Sequence, residues 1–155
     1  RKVTITTSGI VPKIENFKLE KDVNLAISLH APFDEVRNKL VPINKKWPLE
    51  KLMRSLKSYK DSREKKRITI EYIMLENVND SIEDAKMLIK LLKPLRTKVN
   101  LIPFNPWPGT KYKVSPNLKI KEFQKYVLEK GNIVATIRTP RGEDILAACG
   151  QLKSL

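Results

Sequence analysis

Three short stretches of this 155-residue chain combine groups that can donate, accept or hold a reacting molecule. Thr6-Thr7-Ser8-Gly9, Ser28-Leu29-His30 and Asn105-Pro106-Trp107-Pro108-Gly109 bring hydroxyls, an imidazole and a carboxamide. These are the donors and acceptors that the carboxylate, amine and ribose of a nucleoside-like cofactor require. Each stretch closes or follows a run rich in β-branched residues, and parallel α/β sheets gather ligands at the carboxyl ends of their strands. The same residue types also terminate strands and start turns, so taken singly each admits both readings. His30 is the only histidine, which excludes a multi-histidine metal site within this chain, and Ala31-Pro32 behind it ends the strand. Trp107, flanked by prolines, either stacks on a base or pins its loop onto the core.

A fourth candidate stands alone. Cys149 lies in Ala147-Ala148-Cys149-Gly150-Gln151, among small neighbours that leave its sulfur approachable. As a thiolate it is a nucleophile, a form that Arg138 and Arg141 would favour if they approach it, whereas as a thiol it is a small buried hydrophobe. One cysteine permits no internal disulfide, and no CxxC or Cys/His spacing offers a metal cage. A reducing, cytoplasmic setting is therefore expected, with no metal ligand assigned in this chain.

The elements that must position these groups are legible in the hydrophobic pattern. Val3 to Thr7, Val23 to Leu29, Ile68 to Leu75, Val99 to Phe104 and Ile133 to Arg138 read as five strands. Leu25-Ala26-Ile27 and Leu101-Ile102 run without alternation, as in strands buried on both faces of a parallel sheet. Helical periodicity is clearest from Ser81 to Leu92, where Ile82, Ala85, Leu88, Ile89 and Leu92 share a face and Ser81 with Asp84 resembles a capping box. Pro48 opens a second helix with Leu49, Leu52, Met53 and Leu56 on its inner stripe, and Ile120, Phe123, Val127 and Leu128 mark a third that ends near Gly131. Alternating strands and helices give right-handed βαβ units. Five strands cannot close an eight-stranded barrel, so the expectation is part of a larger barrel, with a flavodoxin-like open sheet as the competitor. The chain opens on Arg1 and enters a strand almost at once, which suggests a piece of something longer with an open edge at Val3 to Thr7.

Lys and Arg number 31 against 17 Asp and Glu, a net charge of +14 that suits a polyanionic partner such as nucleic acid. Arg63-Glu64-Lys65-Lys66-Arg67 reads either as a solvated loop or as a phosphate contact, and Asn44-Lys45-Lys46 leaves the same choice open. No apolar run approaches the length of a membrane span, and no signal peptide opens the chain.

In order along the chain, the segments Val3 to Pro12, Leu25 to Pro32, Val41 to Lys46, Thr69 to Leu75, Leu101 to Pro106 and Asp144 to Leu152 closely resemble the RlmN family of radical-SAM RNA methyltransferases. The resemblance implies the carboxyl-terminal half of a radical-SAM partial (β/α) barrel over 1–140, with a short tail over 141–155 that carries the cysteine. It implies methylation of carbon 2 of adenine in large-subunit rRNA and tRNA, with S-adenosylmethionine and a [4Fe-4S] cluster as cofactors and an electron donor for the cluster. Thr6, Ser28, Leu29, His30 and Asn105 match cofactor-binding positions, and Cys149 matches the cysteine that accepts a methyl group. In the family an adenosyl radical then removes hydrogen from that methyl, and the resulting sulfur-bound carbon radical adds to the adenine. The family's cluster cysteines, second cysteine and acidic proton acceptor are upstream groups absent from this chain, which alone is expected to be inactive. The whole protein is expected to be a cytoplasmic monomer. At Thr6 the family usually has Ser, a departure that keeps the hydroxyl and adds a methyl. Competing readings are a Cfr-type enzyme acting at carbon 8, against which the Asn105 to Gly109 loop speaks, a basic RNA-binding module without chemistry, and a small flavodoxin-like nucleotide binder.

Overall fold

The computed structural model describes residues 3–20, 22–62 and 66–139. Five strands, β1 (Val3–Thr7), β2 (Val23–Ser28), β3 (Ile68–Met74), β4 (Thr97–Pro103) and β5 (Val134–Ile137), form one sheet in the order in which they occur. Every neighbouring pair is parallel. Since right-handed crossovers that all step in one direction place their helices on one side of the sheet, this order is that of a barrel wall. A doubly wound sheet would reverse its order at a switch point, so the flavodoxin-like alternative is set aside.

The helices are α1 (Val11–Phe17), α2 (Asp34–Leu40), α3 (Leu49–Ser62), α4 (Ile82–Leu92) and α5 (Asn117–Gly131), with a 3-10 turn at Pro42–Lys45. The expected capping box is present on α4: Ser81 accepts from the Asp84 backbone N–H, and the Asp84 carboxylate accepts from the Ser81 backbone N–H. On α3, Leu49, Leu52 and Leu56 are buried as the periodicity predicts, and Tyr59 extends the stripe. On α5, Ile120, Phe123 and Val127 are buried, but Leu128 is 40% exposed, one position outside a narrower stripe than expected. Both α1 and α2 have only seven residues, too few for periodicity to reveal.

Two apolar clusters hold the fold. The larger joins Ile14, the inner faces of α3, α4 and α5, and one face of the sheet through Leu25, Ile27, Ile70, Tyr72, Val99 and Leu101. Ring contact between Tyr72 and Phe123, with centroids 5.2 Å apart, locks α5 to β3. The smaller cluster, on the opposite face at the carboxyl end of the strands, comprises Ala31, Leu40, Val41, Ile73, Leu75, Ile102 and Phe104. The expected burial on both faces is met at Leu25-Ala26-Ile27 and Leu101-Ile102 but does not extend along β4 or across the sheet: Lys98 and Thr136 are exposed and Glu71 and Asn100 are half-buried. Val3 to Thr7 forms the expected edge strand, with Val3 exposed.

Candidate active site

Strand alternation sorts the candidate residues onto two faces. Ser28 pairs in register with Glu71, Glu71 with Asn100 and Asn100 with Thr136, so four polar side chains form one row across β2 to β5 on the face away from the helices. Thr136 Oγ1 donates to Asn100 Oδ1 at 2.8 Å. Burial pushes the Glu71 carboxyl above its usual range, partly opposed by the positive charge of Arg138. Thr6 pairs with Ala26 and therefore lies on the same face, in the adjacent row, where it is exposed. The sequence reading missed Glu71, Asn100 and Thr136. Their signal was a polar residue at every second position inside otherwise apolar runs.

Leu29 faces the other way. Its side chain is fully buried in the large cluster, its N–H donates to the Glu71 carbonyl at 3.0 Å, and its carbonyl accepts from Arg37 Nε at 2.9 Å and from the Ala31 N–H at 2.8 Å. Any contribution of Leu29 to a ligand is therefore one of backbone placement.

His30 occupies the turn between them with φ +61, a left-handed conformation that a non-glycine residue holds only where its surroundings impose it. The imposing contacts are identifiable. The 2.8 Å bond from the Ala31 N–H to the Leu29 carbonyl closes a three-residue turn around His30. The His30 carbonyl accepts from Asn79 Nδ2 at 2.7 Å, and the His30 ring accepts the Ile73 N–H at Nδ1, 3.1 Å away. With Nδ1 accepting, the neutral ring carries its proton on Nε2. Nε2 is buried and has no hydrogen-bond partner among the described residues. Desolvation, reinforced by the Arg37 charge, pushes the imidazole pKa down to about 3, so the ring is neutral near pH 7. His30 is a fixed N–H donor held at the rim, without a proton to exchange in that range.

Arg37, which is fully buried, braces the rim from α2. Its guanidinium donates from Nε to the Leu29 carbonyl, from Nη2 to the carbonyls of Ser8 at 2.6 Å and Ser28 at 3.1 Å, and from Nη1 to Asn44 Oδ1 at 2.9 Å. One cation thus ties the ends of β1 and β2, using the planar fork that lysine lacks. Burial lowers its pKa to about 10, against the raising effect of Asp34, which leaves it charged. Asp34 Oδ1 accepts from Asn44 Nδ2 and from the Leu49 N–H, both at 2.9 Å. Gly9 meets this cation too: at φ +107 its backbone suits glycine, and a Cβ there would sit 3.3 Å from Arg37 Nη2.

Asn44 was open to an RNA-facing reading, which its complete burial in this network overturns. Lys45 and Lys46 are exposed beside it, and Lys46 Nζ lies 4.8 Å from the Trp47 ring centre. Asn79 does for β3 what Arg37 does for β2, donating to the Ile73 carbonyl at 2.6 Å and accepting the Leu75 N–H at 2.8 Å. Neither Arg37 nor Asn79 was singled out from sequence.

Asn105 is exposed in the loop after β4. Trp107 packs edge-on against Phe104 with ring centroids 5.5 Å apart, which supports the loop-pinning reading. Arg138 is exposed just past β5, and its charge reaches Glu71. Cys149 and Arg141 lie outside the described residues, as do residues 63–65 of the basic cluster; Lys66 donates to the Val23 carbonyl at 3.1 Å, at the end of the sheet opposite the rim. Among the described residues no group of His, Cys, Asp and Glu could hold a metal ion, and no helix is long and apolar enough to cross a membrane.

Similar proteins bear on this geometry. No protein-family model matches the chain. It is 53% identical over 154 residues to a protein of Bradyrhizobium diazoefficiens named dual-specificity RNA methyltransferase RlmN, covering 99% of this chain and 38% of that relative. To the protein of the same name from Brucella anthropi it is 56% identical over 154 residues, covering 99% of this chain and 37% of the relative. The chain therefore spans well under half the length of the curated relatives it matches. Among solved structures, a radical SAM methyltransferase from Sphaerobacter thermophilus superposes with a TM-score of 0.88 at 41% identity, over 98% of this chain and 44% of that one. A domain of a pyruvate-formate lyase-activating enzyme from Bacteroides vulgatus shares the fold, with a TM-score of 0.68 at 15% identity over 89% of this chain and 81% of that domain.

Proposed function

We propose that this chain, a homologue of RlmN-type radical-SAM methyltransferases over a portion of their length, supplies the cofactor-binding rim and the methyl-accepting thiol for methylation of adenine in RNA. The observation that carries the reading is His30: a buried N–H donor, held neutral in a strained turn at the carboxyl rim of a barrel wall, with no acceptor of its own among the described residues. A buried unsatisfied donor costs about 1–3 kcal/mol, a cost that a ligand acceptor would relieve.

The rim fits S-adenosylmethionine. Ser28 and Thr6 offer hydroxyls, His30 an N–H and Asn105 a carboxamide, which together can engage a carboxylate, an ammonium and a ribose. When bound, this cofactor supplies the transferred carbon and the one-electron chemistry that an unreactive aromatic carbon demands. A [4Fe-4S] cluster does not fit the residues present, since three thiolates are needed and the chain has one cysteine; its ligands belong to the remainder of the whole protein. In this reading residues 1–140 are the carboxyl-terminal half of the barrel and 141–155 the tail. Cys149, as a thiolate, would take the methyl group from the sulfonium sulfur of S-adenosylmethionine, breaking that carbon–sulfur bond and releasing S-adenosylhomocysteine, and would hold it as S-methylcysteine until carbon transfer to adenine. The substrates are large-subunit rRNA and tRNA, the target atom is carbon 2, and the whole protein acts as a cytoplasmic monomer served by an electron donor.

The test is an in vitro reaction of the intact, cluster-loaded protein with S-adenosylmethionine, a reductant and rRNA or tRNA, followed by nucleoside mass spectrometry against 2-methyl- and 8-methyladenosine standards. The expected product is 2-methyladenosine. A product at carbon 8 would favour the Cfr-type reading, and RNA binding with no methylated nucleoside would favour a binding module.

A further inference from the structure

Beyond the rim lies a groove that the cofactor reading does not use. It runs between α2 and the two segments that follow β3 and β4, is about 370 Å3 in volume, and has Val36, Leu40, Val78 and Tyr112 as apolar lining, with Lys39 and Lys111 at its edges. Both lysines are exposed, neither enters an ion pair among the described residues, and no carboxylate lines the groove. Lys111 Nζ stands 5.4 Å from the Tyr112 ring centre, and the Tyr112 ring is itself braced edge-on by Phe104 at 6.5 Å. Asn77, held at φ +58, exposes a carboxamide on the lip.

We infer that this groove seats a single-stranded segment of the RNA substrate, with phosphates on Lys39 and Lys111 and one base against Tyr112. The inference rests on the RNA-methyltransferase reading above and names where that substrate enters. Three features converge on this occupant. An apolar floor with an aromatic ring suits an unstacked base, and duplex RNA has none to offer. Lysines on both edges, neither in an ion pair among the described residues, suit the backbone on either side of that base. The place suits it too, because α2 follows the His30-Ala31-Pro32 turn and Lys111 and Tyr112 lie in the segment after β4 that contains Asn105, so two walls of the groove continue in the chain from the proposed rim.

The experiment uses the intact protein and a fluorescein-labelled RNA hairpin with adenosines in its loop, with binding followed by anisotropy over a series of salt concentrations. The double variant K39E/K111E is compared with K51E/K57E, an equal charge change at exposed positions of α3. The expected result is at least a tenfold weaker complex for K39E/K111E, a salt dependence shallower by about 1.4 in the log–log slope, and little change in the α3 variant. Equal losses in both variants, or parental affinity and slope in K39E/K111E, would overturn the groove assignment. Anisotropy reads binding without methyl transfer. A protein that shows the expected loss yet methylates no adenine would refute the enzymatic reading and leave the groove standing.

Discussion

The two faces of this sheet are built to opposite rules. On the helix side, Ile27, Ile70, Tyr72, Val99 and Leu101 are buried and make one continuous core with four helices. On the other side, the neighbouring positions of the same strands are Ser28, Glu71, Asn100 and Thr136, a polar row that exposes part of itself. A parallel sheet normally buries both faces. Polar side chains on the second face are what a barrel interior holds when it receives a ligand, and the smaller apolar cluster at the carboxyl end closes over only part of it. The helix face therefore bears the stability of the chain, and the open face carries the polar groups of the proposed site.

This contrast can be broken most sharply where the two faces meet, at Arg37. Replacing it with Met removes the Arg37 donor from the carbonyls of Ser8 and Ser28 and from the Asn44 carboxamide oxygen, and leaves the Leu29 carbonyl with the Ala31 N–H. A loss of about 3–5 kcal/mol in denaturant-unfolding stability of the intact protein is expected. Stability within about 1 kcal/mol of the parent would show that the brace is dispensable.

Adjacent residues of β4 lie on opposite faces of the sheet. Leu101→Ala, on the covered face, is expected to cost about 2–5 kcal/mol. Asn100→Ala, on the open face, is expected to cost no more than about 1 kcal/mol through the lost Thr136 bond, while weakening S-adenosylmethionine binding measured by titration calorimetry. Similar losses of stability at both positions would erase the distinction between the faces.

His30 adds a pH dependence of known sign. Its native pKa is about 3 against about 6.5 for an unfolded histidine, so below pH 6.5 the unfolded chain takes up a proton that the native chain refuses. Stability is therefore expected to fall by up to about 1.4 kcal/mol per pH unit from this group as pH drops from 6.5 toward 3, beyond what other groups contribute. His30→Asn, which tolerates the left-handed backbone, should flatten that slope by about one proton. An unchanged slope in pH-dependent unfolding would place a proton on the ring in the native state.

The architecture was largely legible in the sequence because five β-branched runs and three amphipathic helices carry their periods openly. The strand bounds shift by two residues at most, with β4 starting at Thr97 rather than Val99. What escaped has physical reasons. The seven-residue helices are too short to show a period, and α2 owes its place to Arg37, whose partners are distant backbone carbonyls. The helix ends at Gly131 as its pattern predicts, but the left-handed residue that caps it is Asn132. Gly131 itself gives room to α4, since a Cβ there would meet Ile89 Cγ1 at 2.8 Å. For the candidate site, polar residues at strand ends were visible, but Glu71 and Asn100 lay hidden inside apolar runs until register showed them side by side. Leu29 was grouped with its neighbours, although alternation turns its side chain into the core.

The smallest expected effect concerns Thr6, where the resembling family usually has Ser. Thr6→Ser removes one methyl from an exposed position, and S-adenosylmethionine affinity is expected to change by less than about threefold, because the hydroxyl remains. A larger change would place that methyl against the bound cofactor.

In the proposed mechanism this chain carries the methyl group on its own sulfur before RNA receives it. Peptide mass spectrometry of the intact protein, purified cluster-loaded and active from cells, examines the fragment containing Cys149 directly. The expected result is a population of that peptide heavier by one methyl group located on the sulfur. Cys149 found unmodified throughout in active protein would contradict it.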